Sequence, residues 1–567
     1  MKKIILFISC VFCFGFANAQ GPVFEWAKST TGSFESSGSS ITIDASGNSY
    51  TTGIFNGTID FDPGVGIYNL TCVGSEDVFI LKLDVNGNFI WAKNIGGNVT
   101  SSAISVYIAI DGSNNIYITG YYTGTVDFDP SVGVDSLTSS GNKDIFISKL
   151  DSFGNFIWGK SLGGTAEDKG SCIAIDIFDN VYISGSFFLT VDFDPGIGVF
   201  NLTSVGWWDV FLMKLDSFGN FVWAKKIGGS SNEFAESIDV DAFGNVCAIG
   251  YFLGTVDFDP GLGIDNLISA GGYDIFISKY DPSGNLIWAK NVGGTTGDYA
   301  YSVVFDLSGS IYVTGGFQGI ADLDPGVGTF YLSSMGGADI FILKLDSSGN
   351  FDWGKNIGGV SSDFGLSIKL DGLGNVYTTG YYSDTVDFNP SSGFYNLNSF
   401  GNTDIFISKL DSLGNFVWAV GMGGVSLDAG SFMAVNIVGD VYTIGDFVDT
   451  VDFDPNFAIF DLIADGGNWN VFVQKLSQPP TSINETTNPN SILIYPNPNN
   501  GIFNISISPQ IKNAIIEVYN SIGALVYKQE VENQENAIEL SNQANGLYFV
   551  KVMSDNKIVG MGKIIKE

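Results

Sequence analysis

The sequence predicts an all-β chain: a seven-bladed β-propeller of four-stranded blades over residues 21–477, its ring closed by the N-terminal strand, followed by a small β-sandwich. Three recurring segments predict it. A tryptophan recurs in FEWAK, FIWAK, FIWGK, FVWAK, LIWAK, FDWGK and FVWAV, at Trp26, Trp91, Trp158, Trp223, Trp288, Trp353 and Trp418, in steps of 65 residues with one step of 67. An acidic stretch recurs as IDFDP at 59–63, VDFDP at 126–130, 191–195, 256–260 and 451–455, ADLDP at 321–325 and VDFNP at 386–390. A third segment runs from DVFILKLD at 77–84 through DIFISKLD at 144–151 to NVFVQKLS at 470–477. Each is present seven times, and self-similarity at a fixed period marks a repeat architecture.

Within one repeat the apolar period is two, which is the period of a strand. The first strand reads as in SIKLD, the second as NVYTTG, the third as DIFISKL and the fourth as NFVWAK. An insert, VDFDPG followed by a second short run, lies between the second and third strands. DSFGN, DSSGN and DSLGN separate the third strand from the fourth and place Gly where a short hairpin needs positive φ. The chain opens on a fourth strand, VFEWAK, with no earlier three, and the repeat region closes on the first three at 431–477 with no fourth. The first segment therefore completes the last blade, and 23–477 amounts to seven periods. An open solenoid of the same units is the alternative, and it has no need of complementary ends.

Composition bounds the function. The formal charge is -35, all 25 basic residues are Lys, and there is no Arg or His. That excludes nucleic acid as a partner, because binding to phosphates rests on dense Lys/Arg patches. The lack of His excludes histidine-dependent triads and histidine metal sites. Apolar residues at 45% are ample for a core, so the acidity is not a sign of disorder. MKKIILFISCVFCFGFANAQ has a basic start, an apolar run and an Ala-Asn-Ala cleavage site, and reads as a signal peptide over 1–19. No other stretch is long enough to cross a bilayer as a helix. Cys72, Cys172 and Cys247 are an odd number at wide spacing and form no disulfide framework. Cys247 stands where its repeat has Tyr, so it reads as a packed small hydrophobe.

After Ser477, QPPTSINETTNPN reads as a linker over 478–490. Residues 491–567 then change character: SILIYPNPNNGIFNISIS, AIIEVYNSIGALVYKQEV, NAIELSNQANGLYFVKVMS and KIVGMGKIIKE alternate apolar positions between turns. With 8 acidic and 6 Lys residues over 481–567, the negative charge belongs to the repeats.

The repeats resemble the SBBP-type seven-bladed propeller repeats of secreted bacterial proteins, on the D-[IV]-F-x-x-K-L-D, G-N-F-x-W-A-K and G-N-V-Y-x-T-G segments. That resemblance implies a fold and an extracytoplasmic setting, and no single activity. The C-terminal segment resembles the type A C-terminal sorting domain of the type IX secretion system of Bacteroidota. The matching residues are Tyr495, Pro496, Asn497, Pro498 and Gly501, the 516–523 stretch, Asn545, Gly546, Leu547 and Tyr548, and Lys563 with the residues to 566. It implies the type IX secretion machinery as a partner, export across the outer membrane, and release or surface attachment.

Three sets of residues are candidate sites. Asp60, Asp62, Asp127, Asp129, Asp192, Asp194, Asp257, Asp259, Asp322, Asp324, Asp452 and Asp454 form the Asp-x-Asp pairs of the insert. Carboxylates at i and i+2 can converge on a cation such as calcium, but calcium takes six to eight oxygens, and Asn389 replaces one Asp. As a strand end, the motif turns Val and Phe inward and Asp outward, with Asp capping the Pro-Gly turn. The second set, Asp168, Glu233, Asp298, Asp363 and Asp428, lies ten residues after Trp in the loops between blades. These acids either pin neighbouring blades through backbone N–H groups or ring one face as a ligand-binding rim. The third set breaks the repeat: before the third strand stand Glu76, Lys143, Trp208, Tyr273, Ala338, Thr403 and Trp469, with Trp207 beside them. Loop aromatics there can stack on sugar rings or a protein partner. The sequence thus predicts a secreted or surface-displayed non-enzymatic binder of glycan or protein. The alternatives are an extracellular carbohydrate-active hydrolase or lyase, working through a carboxylate pair without His, and a purely structural surface coat.

Overall fold

The computed structural model describes residues 21–98, 101–456, 458–478, 492–507, 514–520, 525–531, 533–554 and 557–566. The predicted signal peptide and nearly all of the predicted linker lie outside these. The chain divides into two compact units, meeting in sequence at Pro479 and Pro480. Among the described residues every element is a strand except one 3-10 turn, Asp465–Gly467.

In the first unit the chain folds into consecutive antiparallel four-stranded meanders. One meander shows the rule: Glu233–Val240 pairs with Val246–Phe252, that with Asp274–Tyr280, and that with Leu286–Gly294. Alternation sets each strand's faces, and the second and third strands are buried on both, which is why DIFISKY is buried along its whole length. The Asp-x-x-Gly-Asn turns follow from local chemistry. Asp151 Oδ1 accepts the N–H of Phe153 at 2.8 Å and of Asn155 at 2.9 Å, and Gly154 supplies the φ of +77° that closes the hairpin. The last meander takes its fourth strand from the start of the chain. Val23–Ser29 pairs antiparallel with Asn470–Ser477, from Val23↔Ser477 to Ser29↔Phe472.

The innermost strands touch in order. Ser36–Ile43 meets Ser102–Ile110, then come Asp168–Ile175, Glu233–Val240, Tyr299–Phe305, Phe364–Leu370 and Ala429–Val435, which meets Ser36–Ile43 again. The apolar cores lie between consecutive meanders, not within them. One joins Trp26, Tyr442 and Val471 of the last meander to Ile41, Phe79 and Leu81 of the first. The insert stitches neighbours together as well: Val126 pairs with Gly97 of the preceding meander's outer strand, Val256 with Gly229, and Ala321 with Gly294.

The repeated Trp sets its edge against the Tyr of the second strand, as in Tyr117–Trp158 at 6.2 Å and 70°. The Lys of the third strand lies over the same ring, Lys149 Nζ 4.7 Å from Tyr117. Cys247 replaces that Tyr in one meander and is fully buried, as its sequence predicts.

The second unit packs a three-stranded sheet (Ile492–Tyr495, Ile502–Ile507, Glu535–Glu539) and a four-stranded one (Leu525–Glu530, Ala514–Asn520, Gly546–Ser554, Lys557–Lys566) around one core that includes Phe503, Ile516, Ile538 and Val550.

Candidate functional site

The candidate residues fall in three different environments. The insert acids serve their own hairpin. Asp127 Oδ1 accepts the N–H of Asp129 at 3.1 Å and of Asp135 at 2.8 Å, while Val126 and Phe128 are fully buried. Asp60, Asp192, Asp257, Asp322 and Asp452 repeat this bracket. Asp62, Asp129, Asp194, Asp259, Asp324 and Asp454 each accept the N–H two residues on, at 2.7–2.9 Å. Among the described residues no three acidic or thiol side chains gather as a metal site. The arrangement is the strand-end reading of VDFDPG, with each Asp turned onto backbone N–H groups.

The loop acids require a correction to the rim reading. Asp168, Glu233, Asp298, Asp363 and Asp428 are fully buried and form no exposed ring of carboxylates. Each accepts the N–H of the second Gly of the preceding Gly-Gly, from Gly294 to Asp298 at 2.6 Å up to Gly359 to Asp363 at 2.9 Å. Four of them also accept an N–H at the far end of the second strand. Burial pushes Asp168, Asp298 and Asp363 up to about 7 and Glu233 up to about 8.

Three of the repeat-breaking aromatics, Trp207, Trp208 and Tyr273, converge near the start of the innermost strands. Trp207 stacks on Phe188, rings 5.7 Å apart and 12° from parallel, with 62% of its surface exposed. Trp208 sits 6.2 Å from Phe234, Phe234 5.3 Å from Tyr251, and Tyr251 5.3 Å from Tyr273 and 5.0 Å from Tyr299. Phe364 and Tyr381, 5.4 Å apart, stand on the next innermost and second strands. The arc begins beside Lys169, whose Nζ lies 5.2 Å from the Trp208 ring and 3.9 Å from Glu167. Glu236 on the same innermost strand as Phe234 bonds the Tyr251 hydroxyl, and burial pushes its carboxyl up to about 7.

Trp469 stands apart from the arc, at the same mouth. It lines a cavity of about 260 Å³ with Glu35, Glu76, Ile54, Ala429 and Asp446. Asp446 Oδ1 accepts the Gly38 N–H at 2.7 Å and Oδ2 the Ser37 hydroxyl at 2.8 Å, and burial pushes the carboxyl up to about 7. Farther along the innermost strands, Tyr107 meets Phe432 edge-on at 4.9 Å, with Lys369 Nζ 4.9 Å from the Phe432 ring.

Phe234, Tyr251, Tyr299, Glu236 and Asp446 are missing from the sequence-predicted set. Aligning the repeats reveals them: Asp446 stands where another copy has Tyr381, and Glu236 where the other copies have Ser39, Val106, Ser171, Tyr301, Leu366 and Ser431.

In the second unit the sorting motif is bound to the last strand. Asn497 Nδ2 donates to the Lys563 carbonyl at 2.9 Å and its Oδ1 accepts the Ile565 N–H at 2.8 Å. Tyr495 donates to Glu535, between Pro496 and Pro498 the chain turns, Gly501 takes a φ of +96° beside Lys566, and Tyr548 donates to the Ala544 carbonyl after Gly546.

Comparison with known proteins matches residues 493–567 to the family described as the secretion system C-terminal sorting domain. The uncharacterised WD repeat-containing protein L264 of Acanthamoeba polyphaga mimivirus is 24% identical over 504 residues, 74% of this chain and 36% of that protein. The chain thus spans about a third of the length of that curated relative. A funoran endo-beta-hydrolase of Wenyingzhuangia aestuarii is 25% identical over 127 residues, 22% of this chain and 17% of that enzyme. Among solved structures, PorZ, a surface component of the type IX secretion system of Porphyromonas gingivalis, superposes with a TM-score of 0.23 at 11% identity, covering 95% of this chain and all of that one. Residues 493–567 are the sorting signal of the type IX system, and it directs this protein to the cell surface or the extracellular space.

Proposed function

We propose that residues 23–477 form a seven-bladed β-propeller of the SBBP type, and that the exported protein is a non-enzymatic binder whose ligand, a glycan, lies across the aromatic mouth. The return of the innermost-strand contacts to their starting strand and the pairing of Val23–Ser29 with Asn470–Ser477 support the ring. The observation that carries the binding role is the arc Trp207, Trp208, Phe234, Tyr251, Tyr273, Tyr299. The exposed Trp207 and the half-buried rings beside it offer apolar surface that suits sugar rings, and the hydroxyls of Tyr273 and Tyr299 stand beside them for polar contacts. Symmetry supports it too: a ring built of equivalent units gains a specific site only where the units differ, and the arc occupies one side of the mouth.

The test is a polysaccharide array with the full secreted chain and its Trp208→Ala variant, with calcium and with chelator. Glycan binding by the parent that Trp208→Ala weakens supports the reading. Equal binding by both variants, or none by either, overturns it. Glycan cleavage is the second reading, favoured by Asp446, a single-copy carboxyl held near neutral pKa in a cavity shared with Glu35 and Glu76. The local likeness to a funoran endo-beta-hydrolase is compatible with it. Product release that Asp446→Asn abolishes while binding persists would favour it.

A further inference from the structure

Five junctions between consecutive meanders bury two carboxyl groups each: Asp144 with Asp168, Asp209 with Glu233, Asp274 with Asp298, Asp339 with Asp363, and Asp404 with Asp428. The first of each pair opens a third strand; the second opens the next meander. The two bracket a Gly-Gly. The third-strand Asp lies against the first Gly, where a Cβ on Gly163, Gly228, Gly358 or Gly423 would strike its carboxyl carbon, and the loop acid caps the N–H of the second. At Gly293 an added Cβ would sit 2.8 Å from Asp274 Cγ and 2.9 Å from Asp298 Oδ2, so both carboxyls converge there.

Hydrogen bonding within the pairs is lopsided. Asp168, Asp298, Asp363 and Asp428 accept backbone N–H bonds on both oxygens, as an ionised carboxylate does. Their partners Asp144, Asp274 and Asp404 accept one N–H on Oδ2, at 2.8–3.0 Å, and leave Oδ1 buried with no partner. At Asp209–Glu233, Lys226 Nζ lies 3.6 Å from Asp209, and both Asp209 Oδ1 and Glu233 Oε1 are left over. A buried carboxylate oxygen without a donor is costly, and two facing carboxylates are more so.

The closing junction carries the neutral counterpart. Asn470 stands where the others have Asp, buried like them, and Ser36 stands where they have the loop acid. An amide is a permanently uncharged replacement for a protonated carboxyl.

We propose that four of these junctions, all but Asp339–Asp363, where both Asp339 oxygens accept the Met335 N–H, each hold one proton between their two carboxyl groups at neutral pH, so that the ring tightens in mild acid and loosens in mild alkali. In three pairs, Asp144–Asp168, Asp274–Asp298 and Asp404–Asp428, the proton sits on the orphaned Oδ1; at Asp209–Glu233, Lys226 keeps Asp209 charged and the proton sits on the orphaned Oε1 of Glu233. The titratable groups facing the pairs are Glu167 and Tyr122 at the first, Lys226 at the second, Asp384, Tyr381 and Tyr382 at the fourth, and Asp449 and Tyr382 at the fifth. Glu167, Asp384 and Asp449 are negative and reinforce proton retention, Lys226 opposes it, and the tyrosines are uncharged at neutral pH. Burial is the first cause of the upward displacement of every pair member, to between about 6 and about 8 where the shift is large. The sign follows: folded values above unfolded ones give stability that is complete below the unfolded values and lost as pH rises through the folded ones.

The experiment measures the thermal midpoint of the full chain from about pH 5 to about pH 9, against the triple variant Asp144→Asn, Asp274→Asn, Asp404→Asn. The expected result is a parent midpoint that falls with rising pH and a variant whose fall is shallower, so that the variant is the more stable at the alkaline end. Identical slopes overturn the proposal, as does calcium raising the parent midpoint and not the variant's, which would make the pairs cation sites. Should the variant not fold, infrared spectra of the parent decide. A protonated-carboxyl band present at neutral pH and lost in alkali supports the shared proton; its absence at neutral pH refutes it.

Discussion

Replacing Trp26 by Ala tests ring closure at a single side chain. Trp26 belongs to the strand that opens the described chain, yet it is 8% exposed inside the core that joins the last meander to the first. It meets Tyr442 edge-on at 6.2 Å, and its indole N–H donates to the Val85 carbonyl of the first meander at 3.1 Å. Removing a buried Trp side chain costs about 3–5 kcal/mol. The lost bond leaves the Val85 carbonyl to Lys475 Nζ, 3.5 Å away, and to water, and adds about 1 kcal/mol. The expected loss is about 4–6 kcal/mol, read by urea unfolding of the full chain followed by far-ultraviolet circular dichroism. Trp207→Ala, at an exposed ring, is the control and changes stability by no more than about 0.5 kcal/mol. A loss below about 1 kcal/mol for Trp26→Ala would mean that the first strand is an ornament on an array that is stable without it, and the closed ring would fall.

Three other outcomes are expected. Gly163→Ala places a methyl in the Asp144 carboxyl and destabilises by about 2 kcal/mol or more, whereas Gly112→Ala, which faces open space, costs less than about 0.5 kcal/mol; equal urea midpoints for the two would refute the packing described. Asp446→Asn removes a carboxyl whose value burial raises to about 7, so the parent loses more stability than the variant as pH climbs through that value; a parallel pair of thermal midpoint curves would refute it. Deleting residues 493–567 leaves the protein inside the cell envelope, and its detection in medium or on intact cells by antibody would refute the role of that segment.

Much of this architecture was legible in the residues because the repeat is strict. The period of two in DIFISKL, the Gly of Asp-Ser-x-Gly-Asn and the missing fourth strand of the last copy each report a local rule, and local rules survive without knowledge of neighbours. The Asp of VDFDPG was legible in the same way, as its partners lie two and eight residues ahead. The loop acids were half legible. Their spacing revealed a role between units, but spacing says nothing of depth, and the Gly-Gly that buries them matters only once an Asp from the preceding third strand, about twenty-five residues back, arrives against it. The aromatic arc was least legible, because Trp208, Phe234 and Tyr273 come from three segments that only the packing of consecutive meanders brings together. Asp446 was hidden by identity, not by distance: it replaces an aromatic in an otherwise regular strand.

The way the tail is attached has a mechanical consequence. Residues beyond Ser477 continue from Asn470–Ser477, and that strand is not at an edge: Val441–Phe447 holds one side and Val23–Ser29 the other. Tension applied through the C-terminal segment, whether by machinery hauling it or by a surface tether in flowing medium, must break two ladders together instead of peeling a free margin. An edge strand in that place would yield one hydrogen-bonded pair at a time. Borrowing a strand from the front of the chain converts the point of traction from the weakest margin of the molecule into an interior one.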